Sequence, residues 1–438
     1  LQNRIIPGRW KGISLFDESR IECSDGDIGG YVNIRSESVF VGMHTNFHTA
    51  GIHLAGTGDL QCHNCTLQSI ENGRPAIEAE EESTLLLIGT QITQTGGIRL
   101  RTTKRVHLLR SSLQNCTTGI DIGGGSVLQI TNCQIENSTG YGLFAHSATF
   151  SMSNSIISQN NLIGVQLVNS IATLNRNHVI QNIKGGICAN ENSSLTLNEG
   201  MVNENSEFAI LLKDSFVKIH KAKLENNVKC GVIASNSRAN ISEVDFNHNQ
   251  GTACQFEGEK TKSLIVRSNF IQNGTGIINS DSSELSIDNC TFSENGVHIE
   301  GKLKSKSCIT NKTVLSRSKE GVGIFIHNDA CATISNCNLN NEAKTAIATS
   351  SATNVKNTTI EKCGNTGVTY LEGSSGIIEH CHINFNNKAG INVSSPSVTI
   401  VDNTIKNNGK YGIAMKKDVK CDIGQNVLEN NVTPYYVY

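Results

Sequence analysis

Residues 289–299 read NCTFSENGVHI, and the same cadence returns at VIQNIKGGICA (179–189), KLENNVKCGVIA (223–234) and TIKNNGKYGIAM (404–415). Each time an Asn stands three places after an apolar residue and shortly before a pair of alternating apolar residues. Asn160, Asn182, Asn205, Asn227, Asn249, Asn273 and Asn295 follow one another at steps of 22 to 24 residues, and Asn386, Asn408 and Asn431 continue the column. No window of ten residues between them carries a helical period. A repeat of this length, made of short strands and turns, is the signature of a coil that stacks on its neighbours. Stacked strands lie about 4.8 Å apart, so equivalent amides can hydrogen-bond up and down the stack. Asn also tolerates a left-handed bend, and the column is therefore expected to sit at such a bend.

Other columns follow. Gly/Ala-apolar-x-apolar units recur at Gly51, Ala76, Gly97, Gly119, Gly142, Gly164, Gly186, Ala209, Gly231, Ala253, Gly276, Gly296, Gly323, Ala346, Gly367, Gly390 and Gly412. A second alternating strand lies between them, as in LQITNCQI (128–135) or VTIVDNTI (398–405). The Leu-x-x-Leu-x-Leu pattern of leucine-rich repeats, which share this length, is absent. The fold class expected is all-β: a single right-handed parallel β-helix of about 17 coils with an Asn ladder and capped ends. Residues 1–48, which break the period and carry Trp10, are expected to cap one end and lead into the helix; 49–431 form it, without an internal boundary; 432–438 (TPYYVY being the last six) cap the other end.

Alternation along each first strand sends the residues one and three after Gly inward and the residue two after Gly outward. The outward column then reads His53, Glu78, Arg99, Asp121, Phe144, Gln166, Cys188, Leu211, Ile233, Gln255, Ile278, His298, Phe325. On the second strand, Cys65, Cys133, Cys290, Cys337 and Cys381 share an inward column with Asn177, Asn269 and Asn403.

Composition excludes several function classes. With 37 basic and 39 acidic residues there is no bulk attraction to nucleic acid or an anionic membrane. The apolar run at 84–89 (TLLLIG) is far short of a membrane span. The inward cysteines fall mostly in non-adjacent coils, which reads as small buried hydrophobes in a reducing, intracellular (cytoplasmic) compartment. Sequons such as Asn64, Asn289 and Asn392 are expected by chance in a chain this rich in Asn and Thr. No metal or cofactor is expected: Cys62 and Cys65, three residues apart on a strand, would face opposite ways, and His380 with His382 offers only two ligands.

The chemistry on offer lies on the outward face. The candidates for catalysis are Glu78, Arg99, Asp121 and His53, a ladder of alternating charge. Glu78 and Asp121 would stand about 10 Å apart, slightly wide for an inverting pair of carboxylates and far too wide for a retaining one. The paired-Asp and Gly-His-Gly signatures of polygalacturonase-like proteins are missing, and aromatic residues make up only 5%, which leaves few sugar-stacking platforms. The candidates for partner binding are the apolar Leu211, Ile233 and Ile278, with Glu80 and Arg101 beside the charged coils. Basic clusters at 99–110 (RLRTTKRVHLLR) and 302–319 (KLKSKSCITNKTVLSRSK) read as solvated charge or as docking points for an acidic partner. The second coincides with the longest gap between Gly units and is expected to bulge as a loop.

The repeats resemble those of the β-helix family described as carbohydrate-binding and sugar-hydrolase repeats. Within it, GIIEHCHINFNNKAGINV (376–393) and VTIVDNTIKNNGKYGIAM (398–415) resemble the β-helix regions of the F-box ubiquitin-ligase subunit and of the Shc-SH2-binding-protein and Nessun Dorma group. IIPGRW (5–10) resembles their Pro-Gly-aromatic approach to the first coil. The resemblance covers nearly the whole chain but rests on coil motifs, so it implies a recognition scaffold binding a protein partner or a glycan. A polysaccharide lyase, hydrolase or epimerase is the alternative.

Overall fold

The computed structural model describes residues 2–5, 9–69 and 73–438, with side chains from Lys11 onward apart from Ser69. Residues 6–8 of IIPGRW, and the side chains of its other three residues including Trp10, lie outside the described residues. The chain divides into two compact units, Leu1–Val217 and Lys218–Tyr438.

Through most of the first unit a coil has three strands, although Asp27–Ile34 and Asn46–Leu54 each run the third strand of one coil into the first of the next. Ile98–Thr102, Arg105–Leu109 and Ser112–Gln114 are followed by Ile120–Gly123, Val127–Thr131 and Gln134–Glu136. Equivalent strands pair in parallel, Ile98 beside Ile120, Val106 beside Leu128, Leu113 beside Ile135. Second strands build one sheet; first and third strands build the other. The apolar residue at every second position is buried and its neighbours are not, which is why a 22-residue period survives in the sequence. About 19 turns are present among the described residues. The extra ones lie before residue 48. There Arg20–Ser24 and Val39–Met43 already stack in register with Asp59–His63, while a register shift between Gly29 and Tyr31 hides the period.

The second unit repeats the plan. Its third-strand core column carries Phe246, Phe270 and Phe292, whose rings stack at 4.8 and 4.5 Å.

The Asn ladder is present in both units. In the first, the Asn160 N–H and Nδ2 both donate to Asn182 Oδ1 (3.1 and 2.9 Å), and Asn182 does the same to Asn205 (3.0 and 3.1 Å). In the second, Asn227, Asn249, Asn273 and Asn295 form one run, and Asn386, Asn408 and Asn431 another. The bend, however, is not on the ladder Asn. The left-handed residue is the one before it: Gln159, Gln181, Glu204, Asn226, His248, Gln272, Glu294. Asn holds its position because an inward amide satisfies buried backbone groups that no apolar side chain could serve.

A second polar column lines the turn between second and third strands. Ser111 N–H donates to Cys133 Sγ (3.4 Å), Cys133 N–H to Ser155 Oγ (3.0 Å) and Ser155 N–H to Asn177 Oδ1 (2.9 Å). The cysteines are thus members of a hydrogen-bonded column. Ser268, not Asn269, holds the equivalent position, since the Ser268 N–H donates to Cys290 Sγ while Asn269 donates to Asp245.

Candidate functional site

In the first unit the outward column of first strands is Asn33, His53, Glu78, Arg99, Asp121 and Phe144, each in register with the next. Glu80 and Arg101 stand side by side two residues further along. Charges answer one another throughout. His53 Nε2 meets Glu80 Oε2 at 3.3 Å, and Arg99 reaches Glu78 at 3.3 Å and Asp121 at 3.5 Å. Arg101 Nη2 donates to both Asp121 oxygens, at 3.0 and 2.9 Å. Asp121 is therefore clamped between two guanidinium groups.

Beside this clamp opens a shallow cleft of about 220 Å³, lined among others by Arg99, Thr117, Thr118, Asp121, Tyr141 and Phe144. Tyr141 and Phe144 stack with ring centroids 5.3 Å apart, and His146 lies 5.7 Å beyond Phe144. Tyr141 has no signal of its own in the sequence. It precedes Gly142 at the start of a first strand, three residues before Phe144, and coil stacking sets the two rings beside the Arg99–Asp121 pair.

Further along the column Leu211 follows Cys188 in register and is half-buried. Gln166 and Cys188 hold outward positions yet are only 6% and 3% exposed. The Gln166 amide folds back onto the Leu167 carbonyl. Cys188, a short side chain stacked between Gln166 and Leu211, is shaded by longer neighbours about 5 Å away.

In the second unit Ile233, Gln255 and Ile278 stand in register and are half-buried. The next outward residue is Glu300, followed by Phe325. His298 is wholly buried instead. The Gly296 unit suggests steps of 20 and 27 residues, whereas the strand register, with His298 beside Gly276 and Gly323, gives 22 and 25. The two-residue slip moves His298 into the buried Gly position at the start of the strand and puts Glu300 in its place in the outward column, leaving the alternation itself unchanged. That carboxylate receives His327 Nε2 at 2.7 Å and Lys302 Nζ at 2.8 Å, with the Phe325 ring 4.0 Å from that of His327. The same slip removes the expected loop. Residues 302–319 contain the strands Lys306–Thr310 and Val314–Ser316, and Lys306 and Arg317 pair with Glu284 (3.6 Å) and Glu294 (3.4 Å).

Cys62 and Cys65 do not face opposite ways. Both are buried, because the left-handed Asn64 ends one strand and the next begins at Thr66. Their thiols interact, and this hydrogen bond, then burial, pushes the Cys62 thiol well above its ordinary range. Among the described residues no three His, Cys, Asp or Glu side chains converge as a metal site would need.

No curated protein matches the chain. Solved structures do, at low identity. An A-module of mannuronan C-5 epimerase AlgE6 from Azotobacter vinelandii is 8% identical over 83% of this chain and 90% of that one, with a TM-score of 0.30. The N-terminal fragment of bacteriophage phi29 gene product 12 is 10% identical over 95% and 88%, with a TM-score of 0.38. The tailspike protein gp49 of Pseudomonas phage LKA1 is 10% identical over 72% and 48%, with a TM-score of 0.28. Stacked parallel coils, alternating burial and hydrogen-bonded ladders agree with the family description "right handed beta helix region", which matches residues 50–212, 208–350 and 309–437, and the chain belongs to that family.

Proposed function

We propose that the protein is a recognition scaffold whose first-strand face in the first unit binds a glycan. The observation that carries this reading is the cleft in which the stacked Tyr141 and Phe144 rings adjoin Arg99, Asp121 and two threonine hydroxyls. An aromatic pair offers a sugar ring its apolar face, while the guanidinium, carboxylate and hydroxyls supply donors and acceptors for ring hydroxyls. Because Glu78, Arg99, Arg101 and Asp121 are already paired with one another, the site favours a neutral polyhydroxyl ligand over a charged one.

A protein partner is a second form of the reading, favoured by the half-buried Ile233 and Ile278 in one column of the second unit, with Leu211 holding the corresponding position in the first. The enzymatic alternative places Glu78 and Asp121 on either side of Arg99, with His53 beside them.

Affinity electrophoresis against a panel of neutral and acidic polysaccharides tests the proposal. A ligand retarding the wild-type protein should bind about tenfold more weakly to Tyr141→Ala or Phe144→Ala, the loss of one stacking platform. Shortening of the polysaccharide, abolished by Glu78→Gln or Asp121→Asn, would establish the enzyme instead. No retention by any polysaccharide would remove the glycan reading.

A further inference from the structure

The second-strand sheet of the first unit carries another groove, of about 320 Å³, which the cleft above does not touch. Two outward columns form it. One runs Arg105, Val127, Thr149, Ile171, and the other His107, Gln129, Ser151, Thr173, each residue in register with the next. Val127 and Ile171 are 37% and 56% exposed, large apolar side chains on a face that water should cover with polar ones. At one end stands Arg105, exposed and without an ion pair among the described residues. That sets it apart from the other face, where Arg99 and Arg101 are both engaged by carboxylates. Nearby charges are spoken for: Lys104 pairs with Glu82 at 3.3 Å, and Asp59 accepts hydrogen bonds from Gln61 and Thr84. Gln129, Ser151 and Thr173 make no side-chain hydrogen bond among the described residues, so donors and acceptors line the whole length of the groove.

The geometry points to a docking site for an extended acidic peptide segment of a partner protein, lying along the groove with a carboxylate on Arg105 and an apolar side chain on Ile171. The spacing supports it. Three coil steps of about 4.8 Å separate Arg105 from Ile171, about 14 Å in all. An extended peptide advances about 3.3 Å per residue and presents alternate side chains on one face every 6.7 Å or so, so residues i and i+4 span about 13 Å. An acidic residue at i then meets the unpaired guanidinium. A β-branched residue at i+2 falls between Val127 and Thr149, and an apolar residue at i+4 covers Ile171. The peptide's backbone amides meet the Gln129, Ser151 and Thr173 side chains, which satisfy them as a desolvated backbone requires. The site is independent of glycan binding and stands whether or not that reading does.

The test is fluorescence anisotropy with a labelled peptide of pattern Asp-x-Val-x-Leu, against controls Lys-x-Val-x-Leu and Asp-x-Ser-x-Ser. The Asp-x-Val-x-Leu peptide should bind best and weaken as salt is raised. Arg105→Glu should cost it about tenfold and reverse the preference toward the Lys peptide; Ile171→Asp should cost about fivefold. Arg99→Ala, on the other face, should leave binding unchanged. Both groove side chains are exposed, so the melting temperature should hold; if Arg105→Glu shifts it, Arg105→Gln replaces that variant and must still lose affinity. Equal binding of the Asp and Lys peptides, or an unchanged Kd in both Arg105 variants, overturns the proposal.

Discussion

Asn249 shows what one ladder side chain contributes. Its Oδ1 accepts from the Asn227 N–H and Nδ2, both at 3.1 Å, while its Nδ2 donates to the Leu224 carbonyl at 2.9 Å and to Asn273 Oδ1 at 3.0 Å. Asn249→Ala removes all four and leaves the Asn227 N–H and the Leu224 carbonyl in the core, where water cannot replace the lost partner. A loss of about 2–3 kcal/mol in chemical denaturation is expected; an unchanged midpoint would make the ladder incidental. Where the column departs from Asn, other groups compensate. Ser318 is too short to continue the pattern, Glu342 accepts the Ser318 N–H at 2.8 Å, and His298 reaches from two coils back to within 3.3 Å of the same carboxylate oxygen, off the hydrogen-bonding line. Asn295 decides which nitrogen of that ring carries the proton. Its Oδ1 accepts from the Asn273 N–H and Nδ2, and its Nδ2 donates to the Phe270 carbonyl, so the amide orientation is set and His298 Nδ1 must accept. The proton therefore sits on Nε2, facing Glu342.

Among the elements, the strands and turns that carry cysteine make the clearest pH claim. In the second unit burial pushes the thiols of Cys230, Cys337 and Cys363 up to about 12, and those of Cys290 and Cys381 up to about 11. Folded-state values above the unfolded ones mean that the folded chain keeps protons the unfolded chain would release. Stability from this source is full below the unfolded thiol range, about 8.5, and is lost as pH rises toward 11 and 12. The thermal midpoint should therefore fall steeply above about pH 9. In a variant with the three cysteines that are not buried, Cys308, Cys331 and Cys421, replaced by Ser, thiolate absorbance should appear only as the protein unfolds, and a thiolate signal at pH 10 in that folded variant would mean these turns open to solvent. The same elements show how legible the sequence is at this scale. Alternation placed Ile98, Leu100, Ile120 and Ile122, one and three residues after Gly97 and Gly119, inside correctly, because each strand obeys a local rule. It failed at His298, because the starting point of that alternation depends on the neighbouring coil.

At the scale of the whole chain, fifteen cysteines stand without a disulfide, twelve of them buried. Thiol titration after denaturation without reductant should find nearly all fifteen reactive, as expected of a reducing compartment. Several blocked thiols would point to an oxidising one and weaken the intracellular reading.

The 22-residue period, the Asn column and the Gly-apolar-x-apolar units are enough to read a right-handed β-helix from the chain, since stacking forces like residues to recur wherever coils touch. The charge ladder of His53, Glu78, Arg99 and Asp121 was legible for the same reason: its residues occupy one position of successive coils. The tertiary structure alone decided the rest. A left-handed bend falls one residue before the Asn, Cys62 and Cys65 turn inward together, and Tyr141 meets Phe144 beside Asp121. In each case the side chain's direction is set at or beside a turn, where no alternation operates; Cys62 and Cys65, like Tyr141 and Phe144, are only three residues apart, yet what they pack against comes from coils about 22 residues away. A slip of two residues there leaves local propensity untouched and changes which side chains meet, so only the assembled register holds that information.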